Sequence, residues 1–230
     1  MAISKKHRKA QTKRKQRQKA LQKRNESSLL GMSDRSLAKQ SAGWPLLECL
    51  IPVEWQNTQM VHQICVARRS PIGYIAAGIY LVDLGCLGVK NAYAAVFSSE
   101  AEYRRELVAR LEGGQEMQTA DLNLAAKIIE EAITYAQTLG FSPHKDIRQA
   151  NWVMGTDVRP ENCDIEVPVG GPDGKPFFFA GPYDNVDRII RTLDRSVGQG
   201  NYQAVVRIGD PFFDDDDDDY EDDEEDDWDV

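Results

Sequence analysis

The chain has 230 residues, with 28 Lys and Arg against 37 Asp and Glu, and a net charge of −9 at pH 7. This length suits one ordinary domain with its own core once the charged ends are set aside. The longest apolar stretch, residues 74–89, is interrupted by Asp83 and glycines and is too short for a bilayer, so a membrane protein is not expected. The basic N-terminus lacks the apolar segment of a secretory signal, and a cytoplasmic location is therefore expected.

The two ends of the chain carry opposite charge. Residues 1–24 contain eleven Lys and Arg and no acid, whereas residues 214–230 contain fourteen Asp and Glu and no base. Like charges at this density repel one another and bury nothing, which predicts disorder in both ends until a partner neutralises them. A basic arm on an acidic chain favours contact with a polyanion. The predicted nucleic-acid-binding residues are Lys5, Lys6, Arg8, Lys9, Lys13, Arg14, Lys15, Arg17, Lys19, Lys23 and Arg24.

The first elements in chain order are predicted to be helical or irregular. Arm residues 5–24 are good helix formers without Pro or Gly, so a helix is expected there once a polyanion cancels the repulsion. Residues 25–42 are polar and Ser-rich, which is typical of a linker. Apolar residues within 46–51 then repeat with helical spacing and predict a helix that ends before Pro52.

Two strands and their turn follow. Residues 61–68 alternate apolar and polar, which suits a half-buried strand. Residues 74–84 are almost wholly apolar, which suits a central strand covered on both faces. The link at 69–73 has turn chemistry and predicts an antiparallel hairpin. After a second, glycine-containing turn, Asn91 is expected to cap a helix over residues 92–97.

The next segment reads as helical. Ser98 or Ser99 is a suitable N-cap for the first helix, and Thr119 for the second. The second has an apolar stripe at helical spacing and ends at a glycine. The predicted helices cover residues 100–111, 119–140 and 144–153.

The C-terminal third is predicted to return to strands. Residues 165–169 and 176–180 flank a glycine-rich turn, which indicates a second hairpin. Asp184 is expected to cap a helix through residue 197, and residues 202–208 form a last strand.

Helices and strands segregate along the chain, which predicts an α+β fold with a mainly antiparallel sheet and three to five packed helices, flanked by disordered charged tails. The predicted organisation is a basic arm and linker over residues 1–42, a single α+β domain over 43–210, and an acidic tail over 211–230.

Two stretches of the body resemble a known sequence signature. They are GIYLVDLGCLGVKNAY (residues 78–93) and DGKPFFFAGPYDNVDRIIRTL (residues 173–193). Together they resemble an uncharacterised group of bacterial proteins, cyanobacterial members among them. The resemblance covers most of residues 61–208 and neither tail, and it implies no activity.

The best candidate for a site in the body is the turn that contains Asp83, Cys86 and Lys90. A carboxylate near the end of an apolar strand must be paired or hydrogen-bonded, because burying it alone is costly. One interpretation is an acid and a base at the mouth of a strand–turn–helix, where phosphate or metal chemistry is common, with Cys86 activated by Lys90 if exposed. The alternative, which we favour, is structural: Asp83 accepts hydrogen bonds from turn amides and Lys90 is its ion-pair partner.

The remaining chemical signals are weak. The four cysteines stand far apart without a C-x-x-C pair, which indicates free, mostly buried thiols. None of the three histidines pairs with another His or Cys at ligand spacing, so neither a metal site nor a cofactor is predicted.

Three functions remain open at this stage. The first is a non-catalytic protein whose arm binds the phosphates of RNA, ribosomal RNA included, and whose acidic tail modulates this contact. The second is an interaction or assembly protein, in which the charged ends pair between copies or the acidic tail binds a basic protein. The third is an enzyme with its site around Asp83, Cys86 and Lys90. We rank them in that order.

Overall fold

A five-stranded antiparallel sheet lies at the centre of the molecule, with strand order β4-β3-β2-β1-β5. The computed structural model describes residues 31–206 together with Gln11, residues 13–17, Lys19 and Leu29. The strands of the sheet are β1 (Leu46–Pro52), β2 (Val61–Arg69), β3 (Ile75–Asp83), β4 (Gly88–Phe97) and β5 (Met117–Thr119). A separate parallel pair is formed by β6 (Phe177–Phe179) and β7 (Gln203–Val205).

Six α-helices accompany the strands within residues 31–206. They are α1 (Asp34–Gln40), α2 (Glu100–Tyr103), α3 (Ala109–Gly114), α4 (Leu122–Thr138), α5 (Ile147–Met154) and α6 (Val186–Ser196). A π-helical turn, Arg104–Val108, joins α2 to α3. The predicted α+β class with a mainly antiparallel sheet is therefore confirmed.

Helices cover both faces of the central sheet. On one face Ile64 and Tyr80 pack with the apolar stripe of α4. On the other face the neighbouring residues Cys65 and Ile79 pack with Tyr103 and the rest of the α2–α3 segment. Successive side chains of a strand point to opposite faces, so β2 and β3 are apolar on both sides because both sides are covered.

The hairpin between β2 and β3 is confirmed, with a register that pairs Val61 with Asp83 and Arg69 with Ile75. The helix over 100–111 is also confirmed. Its N-cap is Ser99, whose side chain accepts a hydrogen bond from the backbone N–H of Glu102. The helix predicted over 119–140 begins at Leu122, and the helix predicted to follow Asp184 begins at Val186. Both begin later than predicted because Asp121 and Asn185 supply the capping side chains.

Two predicted helices are wrong. Residues 46–51 form strand β1, and residues 92–97 belong to strand β4. In β1, Leu50 and Ile51 are buried on opposite faces of the sheet. A short strand that is buried on both faces needs apolar residues at consecutive positions, and their spacing resembles that of a helix. Residues 46–51 form a strand because they pair with β2.

The second predicted hairpin is also wrong. Residues 165–169 form no strand, although the glycine turn closes with a hydrogen bond from Gly171 N to Lys175 O at 2.6 Å. The backbone on either side pairs elsewhere: Gly170 N donates to Leu84 O and Phe177 N donates to Gly85 O, both at 2.9 Å. These bonds dock the segment on the β3–β4 turn.

Part of the segment predicted as a linker, residues 25–42, is a helix that packs on the body. Leu37 in α1 is 3 % exposed and contacts Trp44 and Val153 in one apolar cluster, which also includes Leu29. The predicted last strand, 202–208, is observed as the shorter β7, Gln203–Val205, and residues 207 and 208 lie outside the described residues. Most of the arm and all of the acidic tail lie outside the described residues.

Candidate functional site

The candidate turn between β3 and β4 is built around the carboxylate of Asp83. This side chain is 4 % exposed, and its Oδ1 accepts hydrogen bonds from the backbone N–H of Gly85 at 2.9 Å and of Cys86 at 3.0 Å. Gly85 is required at this place, because an added Cβ would lie 2.5 Å from the carbonyl oxygen of Thr58 and 2.7 Å from that of Phe177. The carboxylate therefore organises a tightly enclosed turn.

The ionisation of Asp83 reflects two opposing effects. Burial raises the pKa of Asp83 to about 6, while nearby Lys90 and the hydrogen bonds from the turn amides oppose the rise. A buried carboxyl with a pKa near neutrality is a frequent property of active-site acids, but structural carboxyl groups share it. Here Oδ1 of Asp83 already accepts two hydrogen bonds from the backbone of its own turn.

Lys90 pairs with a different acid from the one expected. Its Nζ lies 2.6 Å from Asp184 Oδ2, and both side chains are only 12 % exposed. Asp184 also accepts a hydrogen bond from Gly181 N at 2.8 Å. The prediction that Lys90 is the direct partner of Asp83 is thus wrong, because Asp184 approaches from a segment 94 residues away.

Cys86 is enclosed in the same region. Its side chain is fully buried beneath Phe178 and Leu193, in the cluster that joins the turn to β6 and α6. Burial raises the pKa of the Cys86 thiol, and the charge of Asp83 raises it further. A lowered pKa, which the sequence allowed for an exposed Cys86, is therefore excluded.

The Asp83 turn acts as the anchor of the C-terminal part of the described chain. Its backbone binds the segment that leads into β6, its thiol lies under α6, and its lysine pairs with the residue just before the α6 cap. This geometry agrees with the structural interpretation of Asp83, and it gives Lys90 a different ion-pair partner from the one predicted.

The ligating side chains of the body are dispersed. Within residues 31–206 and the few described residues before them, no group of three His, Cys, Asp or Glu is arranged to hold a metal ion. All four cysteines lie in this part of the chain and are free thiols, three of them buried, which confirms the prediction for them.

The described part of the basic arm is helical and exposed. It contains five of the eleven predicted nucleic-acid-binding residues, Lys13, Arg14, Lys15, Arg17 and Lys19. The other six, Lys5, Lys6, Arg8, Lys9, Lys23 and Arg24, lie outside the described residues.

A second basic feature was missed by the sequence analysis. Three arginines of α6, Arg188, Arg191 and Arg195, line a cleft of about 580 Å³ beside the C-terminal end of α4. The sequence did offer a signal for this cleft: the three arginines have i, i+3, i+7 spacing within a segment that was predicted to be a helix. What the sequence could not indicate is that the end of α4 closes one side of the cleft.

Comparisons with known proteins leave the chain without an assigned relative: no family model matches it, and neither the curated proteins nor the solved structures contain a match. The resemblance to a bacterial group therefore stays a prediction. Among the described residues, no helix combines the length and the apolar character needed to cross a bilayer.

Proposed function

We propose that the protein is a non-catalytic RNA-binding protein of the cytoplasm, which contacts phosphates through its basic N-terminal arm. The observation that carries this proposal is the exposure of five cations on one short helical stretch, Lys13, Arg14, Lys15, Arg17 and Lys19. Arm cations that neutralise RNA phosphates release condensed counterions, and this release supplies the affinity.

The distribution of charge around the arm helix supports contact with a surrounding polyanion. Consecutive residues of an α-helix are about 100° apart, so Lys13, Arg14 and Lys15 alone cover most of the circumference. A helix that is polar all round has no apolar stripe with which to pack on the protein body. Such a helix suits a groove lined by phosphates on more than one side.

RNA is preferred over DNA as the ligand. The arm is rich in Lys, Arg and Gln, and basic segments that become ordered on binding are a frequent mode of RNA recognition. The sequence contains no DNA-reading motif. Outside the two charged ends the chain has seventeen bases against twenty-three acids, so the arm supplies most of the attraction. The acidic tail, residues 214–230, competes with RNA for the arm and thereby weakens binding.

The test is fluorescence anisotropy with a labelled single-stranded RNA and the DNA of the same sequence. The full chain is compared with a chain lacking residues 1–24, a chain lacking residues 211–230, and a full-length chain in which the eleven arm cations are replaced by Gln. We expect a salt dependence with a slope of up to about −8 in log K against log salt, from about −0.7 per neutralised phosphate. Loss of binding in both arm variants, and tighter binding without the tail, are the expected results. An unchanged affinity after removal of the arm would refute the proposal.

The alternative function is assembly through the oppositely charged ends. It predicts salt-sensitive self-association or capture of a basic partner protein through the acidic tail. Light scattering at low and high salt separates this function from RNA binding, because only assembly changes the mass of the protein alone. The enzymatic alternative is weakened by the geometry, since Asp83 and Cys86 are enclosed and hold a turn.

A further inference from the structure

The arginine stripe of α6 shares its helix with two acids, Asp187 and Asp194. Arg188, Arg191 and Arg195 are exposed, and within the described part of the chain none of them forms an ion pair. Like charges at i, i+3 and i, i+4 destabilise a helix. A bound anion would supply the countercharge that these guanidinium groups do not find within the described residues.

The cleft has the form of a binding site for anions. Its volume of about 580 Å³ falls in the usual range of ligand pockets. Two hydroxyls, of Thr192 and Ser196, also line it, but both donate to carbonyls of α6 itself. Arg191 Nε likewise donates to Asp187 O at 3.2 Å. The donors that remain for a ligand are the other guanidinium N–H groups, and a guanidinium can bind two phosphate oxygens at once.

The surroundings explain how three guanidinium groups are held together. The C-terminal end of α4, at Leu139 and Gly140, forms the opposite wall of the cleft. Helix C-termini carry partial negative charge, which favours cations beside them without neutralising them. From Arg188 to Arg195 the stripe extends about 10.5 Å along the helix, which gives room for more than one phosphate group.

We propose that this cleft is a second phosphate site, on the protein body, for the backbone of the same RNA that the arm binds. The proposal rests on the function proposed above and extends it. The arm supplies most of the affinity, and the arginines of α6 fix part of the strand against the folded domain.

The experiment replaces Arg188, Arg191 and Arg195 by Gln in the full chain. The matched control replaces three exposed arginines on other helical elements, Arg105, Arg110 and Arg148, and so removes the same charge. Binding of a single-stranded RNA is measured by anisotropy over a range of salt. Each lost phosphate contact on a single strand removes about 0.7 from the slope, so the cleft variant should lose about 2 units of slope and the control much less. Both variants should melt like the parent chain, because all six side chains are exposed.

The outcomes separate this proposal from the proposed function. If removal of the arm abolishes binding while the cleft variant binds RNA like its control, the cleft proposal fails alone. If removal of the arm leaves the affinity intact, the proposed function fails, and the cleft variant then shows whether the remaining binding depends on the arginines. If the cleft variant loses no RNA affinity but no longer binds a synthetic peptide of residues 207–230, the cleft belongs to the acidic tail and the proposal is overturned.

Discussion

The guanidinium of Arg68 leads to a demanding prediction about stability. Arg68 is 2 % exposed, and it donates to Val153 O and Met154 O at 2.7 Å each and to Trp44 O at 2.9 Å. It also pairs with the carboxylate of Asp157 at 2.5 Å. One side chain of β2 thus satisfies two carbonyls at the end of α5 and one just before β1.

Arg68→Met keeps most of the side-chain stem and removes every donor. Three buried carbonyls then lose a partner, at about 1–3 kcal/mol each. We take the low end of this range, because a carbonyl retains a second lone pair and water can enter the vacated space, and expect a loss of about 3 kcal/mol. Since domains are stable by only about 5–15 kcal/mol, this change should remove a large part of the free energy of unfolding.

Urea unfolding followed by circular dichroism measures this loss. With a slope of about 2 kcal/mol per molar urea, the midpoint should fall by about 1.5 M. Asp157→Asn is the control: the Asp157 side chain is 63 % exposed, and this change leaves the three carbonyl bonds of Arg68 in place, so it should cost less than Arg68→Met. If Arg68→Met lowers the midpoint no more than Asp157→Asn does, the argument from unsatisfied carbonyls is refuted. Should Arg68→Met not fold, Arg68→Lys should give an intermediate loss.

Three further predictions concern the turn and the sheet. The folded-state pKa of Asp83, about 6, lies above its ordinary value of 3.8, so the associated stability is present below pH 4 and is lost as pH rises through 6. The free energy of unfolding relative to Asp83→Asn should therefore fall by about 2–3 kcal/mol between pH 4 and pH 7, and a constant difference would contradict this. Lys90→Met should cost about 3 kcal/mol by removing the charge partner of Asp184, a side chain that is only 12 % exposed. The added change Asp184→Leu should restore part of the loss. If the losses of stability in Lys90→Met and Asp184→Leu simply add in the double mutant, this double-mutant cycle shows that the two side chains are not coupled. Gly78→Ala should lower the melting temperature by several degrees, since the new Cβ would lie 2.7 Å from Ala150 O on α5; an unchanged melting temperature would show that α5 can move away.

The sequence predicted the elements whose patterns are local. The β2–β3 hairpin follows from alternation and turn residues, and α4 follows from a clean apolar stripe. The N-cap of α4, Asp121, lies two residues after the predicted cap, Thr119. The sequence failed at β1 and at the end of β4, where the backbone partners are other strands. In β1 the buried residues face both sides of the sheet, and no window of a few residues reveals that both faces will be covered.

The candidate site could be predicted only in part. The enclosed carboxylate of Asp83 and its bonds to turn amides follow from an apolar strand that ends in Asp and Gly. The true partner of Lys90 did not follow, because Asp184 is 94 residues away and its approach depends on how the C-terminal segment docks. For the same reason Arg68, which appeared only as the end of a predicted strand, gave no indication of its carbonyl partners.

The burial of Cys86 under the C-terminal elements makes its thiol a natural reporter of local opening. A thiol reagent can reach Cys86 only when β6 and α6 lift from the β3–β4 turn, whereas Cys65 reacts only when the α2–α3 segment leaves the other face of the sheet. Cys163 is half-buried and provides an internal reference for labelling without large opening. The ratio of the labelling rates at Cys86 and Cys65 thus compares the opening free energies of the two layers within a single molecule.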